Sequence, residues 1–440
     1  MQRLLNIRRD EVAPVLMAAF YFFCILIALQ VLRPAREALG MERGIEAIRW
    51  LFQGTLIITL FVNPVFAWLV SRFRRMVFIS TTYLFFAANL VIFYILLVFT
   101  PTAIGQTSGQ VFYVWMSVFN LFVTMIFWAL MADRFAYEQS KRVYGLIAVG
   151  GTVGAIAGSS MAALLAERIG TPMLLLIAAA FLTLAVVCAW LVTRMTAAWN
   201  EGSTDTLAAA AAGERTIIGG TAWQGFSAVS RSPYLLAIAA YVLILAVLVT
   251  FVYFTRLQMV AALGEDTDMR TGVFARIDLA TQVATLVLQA VVAGHLMRRL
   301  GVAVTLAITP VIVALGFIGL AIIGSLAALV VFDATFRATQ RALMRPARET
   351  LFTVVTRESK YKAKAFTDTF VYRAGDSVGA GVEGLLGRLG MALVGLASVA
   401  VPLALGWAAL GVWLGRRQRL LAEDPDQDPA AAPRSRAAAV

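Results

Sequence analysis

VAPVLMAAFYFFCILIALQVL, residues Val12–Leu32, decides the reading of this chain. The 21 residues carry no charge. About 20 apolar residues in a helix cover the roughly 30 Å hydrocarbon core of a bilayer. The block is too long for the apolar core of a cleavable signal, so it is read as a first span kept in the mature protein. Eleven comparable blocks follow, giving twelve spans near 12–35, 48–70, 77–99, 111–133, 146–166, 172–194, 234–256, 274–297, 302–321, 324–345, 366–387 and 391–415. Spans 9 and 10 join tightly around Gly324. The fold class expected is an all-α membrane protein of twelve transmembrane helices in two six-helix bundles.

Composition agrees. Of 440 residues, 60% are hydrophobic and 14% charged, where a soluble chain carries about 25% charged. The net charge of +12 sits between the apolar blocks rather than on one folded surface, which excludes a nucleic-acid binder. It also sets orientation. With twelve spans, 27 of the 37 Lys and Arg fall on the side of the N-terminus and eight on the other. Positive-inside bias then places both termini in the cytoplasm. The large excess of Arg over Lys suggests a GC-rich bacterium and hence an inner membrane. Cys24 and Cys188 lie inside apolar blocks and read as small core residues. The single histidine, His295, sits at a span end beside Arg298 and Arg299 and reads as structural. No nucleotide-hydrolysis loop, zinc motif or nucleophile elbow occurs, so neither an enzyme nor a cofactor is expected.

Residues 196–232 are rich in Gly, Ala, Ser and Thr and divide the spans six and six. The organisation expected is a bundle at 1–195, a cytoplasmic linker at 196–232, a second bundle at 233–417 and a disordered tail at 418–440. Trp223 and Phe226 would anchor a short interfacial helix in the linker. The halves echo one another at an offset of 220: Glu167-Arg168-Ile169-Gly170 against Gly387-Arg388-Leu389-Gly390, Glu138 against Glu358, and Arg36 against Arg256. Gly150, Gly154 and Gly158 in span 5, and Gly375 and Gly379 in span 11, have the spacing that lets helices approach closely. Two parallel six-helix repeats about a midplane site resemble the major-facilitator plan. The basic loops at 71–75 and 294–301 resemble degraded forms of that superfamily's loop signature. An exact pentapeptide repeat, Arg33-Pro34-Ala35-Arg36-Glu37 and Arg345-Pro346-Ala347-Arg348-Glu349, lies 312 residues apart and outside this symmetry.

Ionisable groups inside spans are costly unless paired or wetted, which makes them site candidates. Asp333, Arg337 and Arg341 recur every four residues in span 10. They form either a cation ladder for an anion or an Asp333–Arg337 salt bridge above a cytoplasmic helix end. Asp278, Gln282, Thr285 and Gln289 form a stripe in span 8, either a coupling carboxylate or a hydrogen-bonded seam. Span 11 carries Asp368, Arg373, Asp376 and Glu383, with Arg373 and Asp376 three apart and able to pair. Arg33 and Arg36 reach the outer half of a cavity if helix 1 continues past Pro34, and are loop charges if it stops there. Asn120 and Thr124 share a face of span 4 and either line the cavity or bond a neighbouring helix.

Several runs resemble the nucleotide transporter family of ATP/ADP translocases from plastids and intracellular bacteria. They are Ala347-Arg348-Glu349-Thr350, Lys360-Tyr361-Lys362-Ala363-Lys364-Ala365 with Asp368, and Arg373-Ala374-Gly375-Asp376-Ser377. Leu32-Arg33-Pro34-Ala35-Arg36-Glu37, Phe127-Trp128 and Lys141-Arg142-Val143-Tyr144 extend the likeness into the first half. All four lysines of the chain fall in these stretches. The resemblance implies a major-facilitator fold, with cavity cations and acids handling a phosphorylated cargo. It departs where Arg36 replaces the family's Lys, and more seriously where Asp376 does, since an anion there opposes a ligand as negative as ATP.

The function expected is transport of a small anionic, phosphorylated or nucleotide-like solute by alternating access. Arg33, Arg36, Arg337, Arg341, Arg373 and Asn120 would bind it. Glu37, Asp278, Asp333, Asp368 and Asp376 would couple or gate. Lys141, Arg142, Arg348, Glu349, Lys360, Lys362 and Lys364 form the cytoplasmic basic motif. Partners are the solute and the bilayer. True ATP/ADP exchange and a non-transporting scaffold or sensor are the alternatives.

Overall fold

The structure, a computed structural model, describes residues 11–72, 75–135, 137–196, 222–290, 294–391 and 393–424. The described residues are helical almost throughout. Six helices come first: α1 Val12–Gly40, α2 Ile45–Arg72, α3 Arg75–Phe99, α4 Thr102–Arg134, α5 Tyr137–Ile169 and α6 Thr171–Met195. A short α7 at Ala222–Arg231 precedes α8 Pro233–Ala261, α9 Thr267–Leu288, α10 Gly294–Ile323 and α11 Leu326–Thr339. The last are α12 Arg345–Thr350, α13 Arg357–Phe366, α14 Tyr372–Arg388 and α15 Leu393–Glu423. Nine helices among the described residues are long and apolar enough to cross a membrane. Span 10 runs from α11 through a π turn at Gln340–Met344 into α12, and span 11 from α13 through a π turn at Thr367–Val371 into α14. The twelve-span, all-helical reading holds.

Two details follow from local chemistry. The φ of +61° at Gly324 makes the tight join between α10 and α11, and the Ser325 hydroxyl caps the new helix by accepting from Ala328 N–H. Helix α1 continues unbroken through Pro34 to Gly40, so Arg33, Arg36 and Glu37 are helical residues and not loop charges. The short helix expected in the linker is α7, where the Phe226 ring meets Phe366 at 5.9 Å. The Trp223 side chain, the rest of the linker at 197–221 and the tail at 425–440 lie outside the described residues, as do the side chains of His295, Arg298 and Lys141 and the loop around 73–74.

The chain forms two compact units: Met1–Arg215 with Val260–Gln282, and Thr216–Met259 with Val283–Val440. In the first, α1 is the central element and packs on α4, α5 and α6. Its core is aromatic, with Tyr21, Tyr83, Phe119 and Phe127 fully enclosed and the Tyr21 hydroxyl donating to that of Tyr83 at 2.8 Å. Such a pairing satisfies a polar group that a bilayer leaves no water to solvate. The first half of α9 packs with this unit although it follows α8 in the chain. In the second unit α10 lies along α15, and Tyr241, Phe251, Phe317 and Trp407 fill the core.

The glycine stripes do what their spacing implies. A methyl built at Gly158 would lie 2.8 Å from the Ile27 carbonyl oxygen, and ones at Gly150 and Gly154 would overlap those of Ala19 and Phe23. In the second unit Gly375 and Gly379 stand in the same relation to Leu243 and Val247 on α8. Setting Gly154 on Phe23 against Gly375 on Leu243, and Gly158 on Ile27 against Gly379 on Val247, gives offsets of 220 for α1 against α8 and 221 for α5 against α14, in line with the sequence echo.

Candidate functional site

Each unit gathers charge. In the second, Asp333 is almost fully enclosed at 2% exposure. Its Oδ2 lies 2.8 Å from Arg337 Nη2, one turn along α11, and 3.3 Å from Arg256 Nη1 on α8. Both arginines are buried as well. Two guanidiniums thus converge on one carboxylate. Such a cluster is tolerated in a membrane protein only when the charges hold one another. Of the two sequence readings for this stripe, the Asp333–Arg337 salt bridge is present, and Arg256 joins it unforeseen. Arg341 lies half-buried in the π turn that follows, which inserts a residue into the helical repeat. Arg345 is exposed.

Asp376 on α14 is buried and binds Arg373 Nη1 at 3.3 Å, while the Thr250 hydroxyl donates to its other oxygen at 3.3 Å. The i,i+3 pair anticipated from spacing is therefore formed. Further along α14, Glu383 is buried and accepts from the Gln258 side-chain amide beside a small cavity of about 170 Å³.

The residues of the basic motif also meet. Arg348 Nη2 lies 3.2 Å from Asp368 Oδ1 and 3.9 Å from Glu349 Oε1. Lys364 Nζ donates to Glu349 Oε2 at 2.6 Å. Arg348 Nε is enclosed with no hydrogen-bond partner among the described residues. Lys360 and Lys362 are half-buried on α13. Arg142 stands apart in the first unit, where it clasps the buried Glu11 at the start of α1 at 3.1 Å.

In the first unit Arg36 lies flat on the Tyr113 ring, 3.9 Å from its centroid, and donates from Nε to the Tyr113 carbonyl at 3.1 Å. Its Nη1 is 3.4 Å from the buried Glu37. The two copies of the exact pentapeptide thus share one feature: the second arginine contacts the adjoining glutamate, in Arg36–Glu37 and in Arg348–Glu349. They differ in the first arginine, since Arg33 Nε is 3.7 Å from Asp278 whereas Arg345 is exposed. Asp278, Gln282 and Thr285 are buried, and Gln289 is exposed. Asn120 is exposed on α4.

Sequence reasoning missed a further set. Asp268 Oδ1 accepts from Thr171 N–H at 2.6 Å and so caps α6 from the first turn of α9. The Thr171 and Thr271 hydroxyls meet at 2.9 Å, Arg276 pairs with Glu167 at 2.7 Å, and the Thr267 hydroxyl donates to Glu42 at 3.2 Å. With Arg33–Asp278 these bonds tie the first half of α9 to α1, α5 and α6. Burial pushes the Glu42 carboxyl above the usual range, opposed by the Thr267 hydrogen bond and the Arg270 charge. The only signal for this set was an unusually polar start to span 8.

A helical chain with apolar spans, paired charges inside them and glycine-packed helices has the construction of a multi-pass membrane protein. The Major Facilitator Superfamily pattern matches residues 15–344, three quarters of the chain, and the protein belongs to that family. Its fold is shared with a mutant form of the nucleoside transporter NupG (TM-score 0.57, 13% identity, 93% of this chain and 99% of that one). It is shared too with a peptide transporter, POT, in complex with sulfate (TM-score 0.61, 13% identity, 92% and 95%). Identities this low carry the fold alone. Comparison with curated protein sequences finds no match.

Proposed function

We propose that the chain is a secondary transporter of a small anionic organic solute, phosphorylated or nucleotide-like, working by alternating access in a bacterial inner membrane with both termini in the cytoplasm. The observation that carries this reading is the Arg256–Asp333–Arg337 triad. Two guanidiniums on one enclosed carboxylate are a preassembled fork. A phosphate or carboxylate can take over the bidentate geometry that arginine presents, with Asp333 as the group displaced or protonated. Arg33 and Arg36 supply cations in the first unit, each already beside a carboxylate of its own. Arg341 and Arg373 are assigned supporting roles at the binding site, and Asn120 a contact to the solute.

Gating falls to Glu37, Asp278, Asp368 and Asp376 with their arginines. The ties from Asp268, Thr271 and Arg276 act beside them as a releasable clasp on α9. Lys141, Arg142, Arg348, Glu349, Lys360, Lys362 and Lys364 serve the cytoplasmic side, and the bundle–linker–bundle–tail division at 1–195, 196–232, 233–417 and 418–440 belongs to the same proposal.

ATP/ADP exchange is the second reading. Its support is the network in which Arg348, Glu349, Lys364 and Asp368, the residues of the family resemblance, come together. Against it stands Asp376, which occupies Arg373 where that family has a further cation. Proteoliposomes loaded with ADP and offered labelled ATP decide between the two. Exchange would establish the second reading. Uptake of a sugar phosphate or other organic anion without exchange would establish the first. Uptake that persists undiminished in both Arg337→Ala and Arg341→Ala would remove these arginines from the site.

A further inference from the structure

Between α2, α3 and α4 the first unit holds a groove of about 890 Å³. Helices α2 and α3 touch only sparsely, and the gap between them forms the groove. Its walls are apolar and aromatic: Phe78, Phe85, Phe86, Trp115, Val118 and Phe122. Phe85 and Val111 on its rim are exposed, so the groove opens sideways. Between Gln110 and Phe122 it runs along α4 for about 18 Å at 1.5 Å per residue, more than one leaflet of a roughly 30 Å hydrocarbon core. Water does not fill such a space inside a bilayer; hydrocarbon does.

Thr81, Thr82 and Asn89 of α3 are polar members of the lining, and one end carries a charge beside it. Thr107 and Gln110 line the groove there, and both bind Arg43 from the turn before α2. Arg43 Nη2 donates to Thr107 Oγ1 at 2.7 Å and to the Ala103 carbonyl at 3.2 Å, and Nη1 to Gln110 Oε1 at 3.4 Å. All three acceptors are neutral. Among the described residues Arg43 makes no ion pair, and it is exposed. About 8 Å deeper along α4, one and a half turns on, the Trp115 ring lines the groove.

We infer that this groove binds one anionic phospholipid, with the phosphate on Arg43 and an acyl chain along the Phe and Val walls. Each part of the lipid answers a separate feature. The exposed guanidinium, held only by neutral acceptors, takes the charge, and the aromatic walls take the chain. A zwitterionic lipid fills the groove but gains no net attraction at Arg43. The assignment does not depend on the solute or on transport.

The test uses the full chain in phosphatidylcholine nanodiscs containing lipid brominated on the acyl chain, which quenches nearby tryptophan. The Trp115 signal is the difference between the wild type and Trp115→Phe. Brominated phosphatidylglycerol is expected to quench it at about fivefold lower mole fraction than brominated phosphatidylcholine, the factor given by the roughly 1 kcal/mol that one basic side chain contributes at an anionic membrane surface. Arg43→Gln should bring the two lipids level while leaving phosphatidylcholine quenching intact, which also reports that the groove is folded. Val118→Phe, which fills the groove, should weaken quenching by both. Equal quenching by the two lipids in the wild type, a preference that survives Arg43→Gln, or unchanged quenching in Val118→Phe would overturn the inference. So would loss of the preference on adding soluble glycerol phosphate, which would assign Arg43 to a free anion.

Discussion

The Asp333 carboxylate on α11 lies 3.3 Å from the Arg256 guanidinium on α8, a pair separated by 77 residues and sealed from solvent on both sides. Arg337 completes the triad at 2.8 Å. The asymmetry of two cations on one anion makes the three positions unequal. Asp333→Asn leaves two buried guanidiniums facing each other and should cost about 3–5 kcal/mol. Arg337→Met leaves the hydrogen-bonded Arg256–Asp333 pair in place and should cost less than that. Thermal unfolding of the purified protein in detergent checks the order. Equal losses would mean the groups do not share charge.

The glycine stripe on α5 yields a contrast within one helix. Gly154→Val drives a branched side chain into the Phe23 backbone and should abolish folded protein. Nothing lies within 4 Å of a methyl at Gly145 on the same helix. Gly145→Ala should therefore gain up to about 1 kcal/mol from helix propensity. Monodisperse yield by size exclusion, with a melting curve for whatever elutes, separates the two.

Glu42 supplies a pH dependence. Its carboxyl is raised in the folded state, chiefly by burial. The folded state therefore binds the proton more tightly than the unfolded chain, and stability from this group is present at low pH and lost as pH rises through the raised value. Glu42→Gln keeps an acceptor for the Thr267 hydroxyl without the charge. It should melt above the wild type at about pH 7.5 and level with it at about pH 4, below the raised value. Melting below the wild type at the higher pH would show that the attraction of Arg270 outweighs burial.

The cap that Asp268 places on α6 is expected to hold the first half of α9 in place. A cysteine at Thr271, fully buried, reports its release in a background lacking Cys24 and Cys188. Losing an N-cap costs roughly 1 kcal/mol, so Asp268→Ala should speed labelling by a membrane-impermeant maleimide about fivefold. An unchanged rate would show that the cap does not hold the clasp.

What could be read from the chain beforehand was whatever one helix contains. The spans, the glycine stripes, Asp333–Arg337 and Arg373–Asp376 all follow from spacing along a single rod. Arg256 with Asp333, Asp268 with Thr171 and Glu167 with Arg276 join segments 77, 97 and 109 residues apart, and no periodicity links them. The π turn that holds Arg341 was not legible either. A π turn adds a residue to the repeat without a composition marker, and Gln340–Met344 reads like ordinary helix.

The most direct test of the anion-carrier account is the melting temperature of the purified chain titrated with ATP, ADP, glucose 6-phosphate and, as an uncharged control, adenosine. The account predicts that at least one phosphorylated compound raises it, that adenosine does not, and that Arg337→Gln loses the rise while still folding. Stabilisation by adenosine alone, or a rise from the phosphorylated compound that Arg337→Gln leaves untouched, would contradict it.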